Sequence, residues 1–157
     1  MRQRIVADRE ELHDRAQRER PMIAQNMPVI DLHLAREKAR RGDFDGAIEL
    51  ARNAFDDYLQ TGDFMWFGAV SAILAESLLQ RGSDGDIRDA RDVIATLAAV
   101  PTEPGCIVYD IWLLRLRALL ARAEGDESTY RGYRNRYRTM ANDLGFEGHM
   151  KWSAEMV

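Results

Sequence analysis

Ala39-Arg40-Arg41-Gly42-Asp43, Leu79-Gln80-Arg81-Gly82-Ser83 and Ala123-Glu124-Gly125-Asp126 are three versions of one signal. Each follows a helical apolar pattern with basic residues near its end. Each puts a glycine where the helix must stop and an Asp or Ser where the next must start. Glycine reaches the left-handed conformation that ends a helix, and the Asp or Ser side chain can accept hydrogen bonds from the free N–H groups of the following one. The glycines lie 40 and 43 residues apart. Helix, tight turn and helix at such a period mark an α-repeat or solenoid, an architecture that builds a surface before it builds a reaction.

The segments between these signals agree. Residues 4–19 read as a charged helix with a narrow apolar stripe (Ile5, Leu12, Ala16), stopped before Pro21. Met27, Ile30 and Leu34 mark a helix over 27–41. Asp43 opens the next, with Ala47, Leu50, Ala51, Ala54 and Tyr58 on one stripe. Residues 63–81 are apolar nearly all round, including Phe64, Met65, Trp66, Phe67, Val70, Leu74 and Leu78, as expected of a helix buried between neighbours. Further helices are expected over 86–99, 106–123 and 127–143, with a short one after Gly145 carrying Phe146, Met150 and Trp152. Period-two alternation is absent. The expectation is an all-α chain of seven or eight helices in antiparallel pairs, one domain over 1–157. It divides into a charged helix (1–20), helix pairs (22–145) and a capping helix (146–157).

Composition narrows the function. Cys106 is the single cysteine, so no internal disulfide is possible. No stretch approaches the roughly 18 apolar residues of a membrane span, and Met1-Arg2-Gln3-Arg4-Ile5 lacks a signal-peptide core. A cytoplasmic protein is expected. Residues 43–104 carry four basic and twelve acidic groups, against net +3 before and +1 after. An acidic middle argues against a nucleic-acid tract along the whole solenoid, since phosphate binding needs a continuous positive face. It allows self-association between basic and acidic regions, and residues 1–20 are the expected dock for a second copy or a preceding domain.

Arg41-Gly42-Asp43-Phe44-Asp45-Gly46-Ala47-Ile48-Glu49-Leu50-Ala51 resembles tetratricopeptide-type repeats, where a glycine ends the first helix and an alanine packs the second. The period here exceeds that family's, which is about 34 residues, and its aromatic-glycine-tyrosine signature is missing. A narrower resemblance covers Tyr130-Arg131-Gly132-Tyr133-Arg134-Asn135-Arg136-Tyr137-Arg138-Thr139-Met140-Ala141 and Leu144-Gly145-Phe146-Glu147-Gly148-His149-Met150-Lys151-Trp152. It is similar to the end of large actinobacterial signalling proteins that join an adenylate cyclase or DNA-binding domain, a signal-transduction ATPase and a helical-repeat region. The resemblance implies the repeat module alone, a sensor or assembly arm without the family's catalytic residues.

A search for chemistry agrees with a non-enzymatic reading. Gly82-Ser83-Asp84-Gly85 lacks the Lys-Ser/Thr of a phosphate loop, and His13, His33 and His149 have no ligand-spaced partner for a metal. No cofactor is expected. Asp84, Asp86, Asp89 and Asp92 fall at a helix N-terminus or on a solvated face, where they serve capping and the helix dipole. Two features point to binding. Tyr130, Tyr133 and Tyr137 share one stripe beside Arg131, Arg134 and Arg138. They either grip an acidic partner or nucleic acid, or cap the end of the solenoid with the arginines as its wet face. Glu76, Asp110 and Arg117 are polar groups on apolar helices. With Trp66 and Trp112 they fall on the first helices of the pairs, where either a solenoid's concave groove would read a peptide or small ligand, or, equally, the charges neutralise one another across neighbouring helices. Trp66, Glu76, Asp110, Trp112, Arg117, Tyr133, Arg134 and Arg138 are thus the candidate site residues. The leading expectation is a non-catalytic interaction or sensor module of a cytoplasmic signalling protein, and the alternative is a receptor for a peptide or small ligand in the groove.

Overall fold

A computed structural model describes residues 27–102 and 107–157. Among these residues the chain is all-helical, with no strand: α1 (Met27–Arg40), α2 (Phe44–Thr61), α3 (Phe67–Arg81), α4 (Asp86–Ala99), α5 (Ile107–Ala123), α6 (Glu127–Leu144) and α7 (Glu147–Glu155). The charged helix expected over 4–19, its proposed docking role and Cys106 lie outside the described residues.

The recurring stop signal does what its chemistry requires. Gly42, Gly82 and Gly125 have φ of 81°, 64° and 78°, the left-handed region that ends a helix. After the first and third, Asp43 and Asp126 cap the next helix, accepting from the backbone N–H groups of Gly46 and Thr129 at 3.0 Å each.

The second signal departs from expectation. Ser83 does not cap α4. Its N–H donates to Asp86 at 2.8 Å, and Asp86 is 2 % exposed rather than solvated. The Arg81 guanidinium donates to the same carboxylate from Nε at 3.0 Å and Nη2 at 2.6 Å, and reaches Asp45 at the start of α2 at 2.8 Å. Hydrogen bonding from Arg81, and then from the Ser83 N–H, holds the Asp86 carboxyl below the usual carboxylate range. Arg81 itself is pushed above its ordinary value by the Asp86 and Asp45 hydrogen bonds. One side chain at the end of α3 thereby ties α2 to α4.

The expected helix over 63–81 begins only at Phe67. Gly62 closes α2 with φ 70°, and the Asp63 side chain then accepts from the Met65 N–H at 3.2 Å, a local turn that competes with helix. Met65 and Trp66 sit in this connection and are 77 % and 45 % exposed, not buried as the sequence suggested.

From Phe67 onward α3 is the centre of the molecule. It touches α1, α2, α4 and α5, and Phe67, Val70, Leu74, Ala75 and Leu78 are all buried. Ala51 and Ala54 on α2 are buried in the same core, where their small side chains leave room for the Phe55 and Phe67 rings to stack at 4.8 Å. A second cluster joins α5 and α6 through Ile111, Leu114, Ala118, Tyr130 and Tyr137, with Met156 from just beyond α7. Helices otherwise pack mainly on their sequence neighbours.

Candidate binding groove

A groove of about 430 Å³ lies across α3. Its floor is made of small or slender side chains of α3, Ala69, Ala72, Ile73 and Ser77, with Glu76 among them. One wall is the C-terminal half of α1, presenting Arg36, Ala39 and Arg40, with Phe44 just beyond. Trp112 and Arg115 of α5 and Trp152 of α7 form a further wall.

Helical spacing explains why these residues meet. Ala69, Ala72, Ile73 and Glu76 follow the i, i+3, i+4, i+7 stripe of α3, so small residues and the carboxylate share one face. Trp112 and Arg115 are likewise three apart on α5. Gly68 supplies the space the indole needs: a Cβ there would stand 2.7 Å from Trp112 Cδ1.

The wall of α5 and α7 is an aromatic assembly around an ion pair. Glu76 accepts from Arg115 Nε at 2.7 Å and Nη2 at 3.0 Å, a two-pronged contact that uses both carboxylate oxygens. The guanidinium lies 5.2 Å from the centre of the Trp152 ring. Burial works against the Arg115 charge, but its hydrogen bonds and attraction to Glu76 outweigh burial and raise its pKa. Trp112 and Trp152 have centroids 5.7 Å apart, and the His149 ring meets Trp112 edge-on at 4.6 Å. His149 Nδ1 and the Tyr137 hydroxyl are hydrogen-bonded at 2.8 Å. Burial, with a smaller push from nearby Arg115, lowers the His149 pKa to about 4, so the ring is neutral near pH 7. Burial also raises Tyr137 to about 12, despite the opposing Arg115 charge.

Of the eight residues singled out in the sequence, Glu76 and Trp112 line this groove. Trp66 precedes the first turn of α3, half in solvent, and Asp110 is exposed in the first turn of α5. Arg117 turns away to the Tyr133 ring, 6.0 Å from its centroid, with Arg136 at 5.8 Å from the same ring. Arg134 lies 5.5 Å from the buried Tyr130 ring, and Arg138 donates to the Ser153 carbonyl at 3.2 Å. The arginines of α6 are thus not simply a wet face: Arg134 and Arg136 lie against tyrosine rings and Arg138 holds the last helix. Sequence reading passed over Arg36, Arg40 and Arg115, and took Trp152 only as part of a cap. The i, i+3 pair Trp112–Arg115 in an apolar helix was the available signal.

Among the described residues no cluster of His, Cys, Asp or Glu could hold a metal ion, and no helix is long and apolar enough to cross a membrane. No protein-family model, curated protein or solved structure matches the chain.

Proposed function

We propose that the chain is a non-catalytic recognition module, a tetratricopeptide-like solenoid of antiparallel helix pairs whose groove takes a ligand. In this reading it is the sensor arm of a cytoplasmic signalling protein of the kind its C-terminal end resembles. The observation that carries the proposal is the groove itself. Its volume lies within the ordinary range for small-ligand sites, and it joins apolar and aromatic walls to a few fixed polar groups. Most of its lining comes from α1, α3 and α5, the helices a solenoid of pairs would turn inward, with Trp152 added from α7 and Phe44 from the start of α2.

A fragment screen followed by amide and indole NMR tests the reading. Bound fragments should shift the Trp112 and Trp152 indole signals and leave Trp66 unmoved, and the chain should show no cyclase, ATPase or nuclease turnover. Fragments that scatter over the surface, or a turnover abolished by one point substitution, would remove it.

A protein-docking role has its own support. The Tyr109 hydroxyl donates to the Phe64 carbonyl, tying the start of α5 to the connection before α3, and Met65, Trp66 and Val108 in these two segments are large exposed apolar residues. Replacing Met65 and Val108 by Ser should lower self-association in sedimentation if this patch is used. An unchanged profile would discard this second reading.

A further inference from the structure

We infer that the groove's ligand is a small uncharged molecule: a flat apolar ring carrying a neutral hydrogen-bonding group that meets the Ser77 hydroxyl. This rests on the groove being a binding site, and goes further by stating the charge class it selects.

Four lining side chains are charged, Arg36, Arg40, Glu76 and Arg115, and each is already engaged within the chain. Glu76 commits both carboxylate oxygens to Nε and Nη2 of Arg115. The remaining Arg115 nitrogen, Nη1, is buried and is not presented to the groove. The same guanidinium holds the place over the Trp152 ring that a ligand cation would seek. Arg40 pairs with Glu37 through Nη1 at 3.0 Å, and Arg36 has an interaction of its own within the chain. An ion entering the groove would lose water and meet no opposite charge held open for it. Recruiting Glu76 or Arg115 would first break a partly buried pair. Both penalties fall on ions and spare a neutral molecule.

Two further lining side chains are polar without charge, Ser77 and Gln80, neighbours three apart on α3. Among the described residues neither side chain forms a hydrogen bond, although Ser77 is only 2 % exposed. Buried hydroxyls are as a rule hydrogen-bonded, so one that lines a groove with donor and acceptor unused lacks a partner the ligand can supply. A carboxamide, carbonyl or hydroxyl group meets that need without bringing charge. The rest of the lining supplies apolar surface. Trp112 and Trp152 are half-buried with ring centroids 5.7 Å apart, and Ala69, Ala72 and Ile73 form an apolar floor. A planar ring can lie against such indoles by offset or edge-on stacking.

Three matched probes separate the charge classes: indole-3-acetamide, indole-3-acetate and tryptamine, with skatole as the ring without a polar group. Each is titrated at neutral pH by calorimetry and by the tryptophan indole N–H signals of the labelled protein. The acetamide should shift Trp112 and Trp152 and bind about tenfold more tightly than either charged probe. Its affinity should not change as salt is raised. Ser77→Ala, checked for an unchanged helical spectrum and melting temperature, should weaken the acetamide about three- to tenfold and leave skatole as it was. Acetate or tryptamine binding at Trp112 and Trp152 as tightly as the acetamide would overturn the neutral-ligand inference while leaving the groove a binding site. An acetamide affinity unchanged in Ser77→Ala would do the same. No shift at either tryptophan with any probe up to the solubility limit would overturn both.

Discussion

The two cores of this chain are built from different materials. Around α3 the packing is aliphatic and phenyl: Leu32, Val70, Leu74, Leu78 and Leu97 enclose Phe55 and Phe67. Around α6 it is tyrosine, histidine and tryptophan threaded with guanidinium groups. Arg122 and Arg134 lie against the Tyr130 ring, and Arg115 lies beside Trp152. The first core depends on filling volume, and so is sensitive to cavities, with its response to pH confined to the acid range where the Asp86 latch titrates. The second depends on ring contacts and hydrogen bonds as well, and so responds to protonation. The groove sits where the two meet, with its floor from the first and one wall shared with the second.

The largest effect should come from emptying the first core. Phe67→Ala or Leu74→Ala should each cost about 2–5 kcal/mol in denaturant unfolding, because both side chains are fully buried and their loss opens a cavity in the core. A loss within experimental error at both would mean that α3 is not central.

Next is the polar latch of that region. Asp86→Ala leaves the Ser83 N–H and much of Arg81 without an acceptor, and should cost about 2–3 kcal/mol. Because the Asp86 pKa is lowered in the fold, its contribution is complete above the usual carboxylate range and is lost only as pH falls through the folded value, below 3.8. A variant as stable as the parent at pH 7 would show the latch to be ornamental.

In the second core the pH dependence should fall in a different window. His149 has a folded pKa of about 4 against an ordinary 6.5, so the unfolded chain takes up this proton first. Its support for the fold is complete above pH 6.5 and drains away as pH falls to 4. After allowance for partial exposure the slope should amount to on the order of 1 kcal/mol, carried by a ring facing Tyr137, Trp112, Trp152, Phe146 and Arg115. His149→Phe should flatten stability between pH 6.5 and 4. An unaltered slope would assign it elsewhere.

The smallest effect belongs to the surface. Arg131 and Glu127, 65 % and 60 % exposed, form an i, i+4 pair on α6. Arg131→Ala should change stability by less than about 0.5 kcal/mol. A larger loss would mean that the charged face of α6 is more than solvated.

How far the sequence reached differs between the two regions for a physical reason. Glycine stops, Asp caps and apolar stripes act within a few residues, so α2 starts where Asp43 was expected to open it, and α4 and α6 fall within a residue of their expected bounds. The start of α3 was misjudged because Phe64, Met65 and Trp66 continue its apolar run, while the short-range Asp63 turn that excludes them leaves a fainter mark. Within the groove, Glu76 and Trp112 were legible as a polar group on an apolar helix and a large ring beside it. Their partners were not. Arg115 meets Glu76 across 39 residues of chain, and Trp152 arrives from α7. Both meetings depend on how helices turn relative to one another, which local periodicity does not encode. Asp86 shows the same limit: its position looked like a cap, and only the reach of Arg81 from the preceding helix makes it a buried latch.

The neighbour-to-neighbour packing also has a consequence for the order of assembly. Contacts between adjacent helices span short stretches of chain, so loop closure costs little entropy and folding can keep pace with synthesis. As the chain leaves the ribosome, α1 and α2 can pair before α3 is complete, and Arg81 can reach Asp45 before Asp86 has emerged. Trp152, on α7, comes last. Until then the groove has its floor, its α1 wall and the α5 part of its other wall, and Trp112 has no indole beside it. Recognition would then begin only after the rest of the described chain has folded.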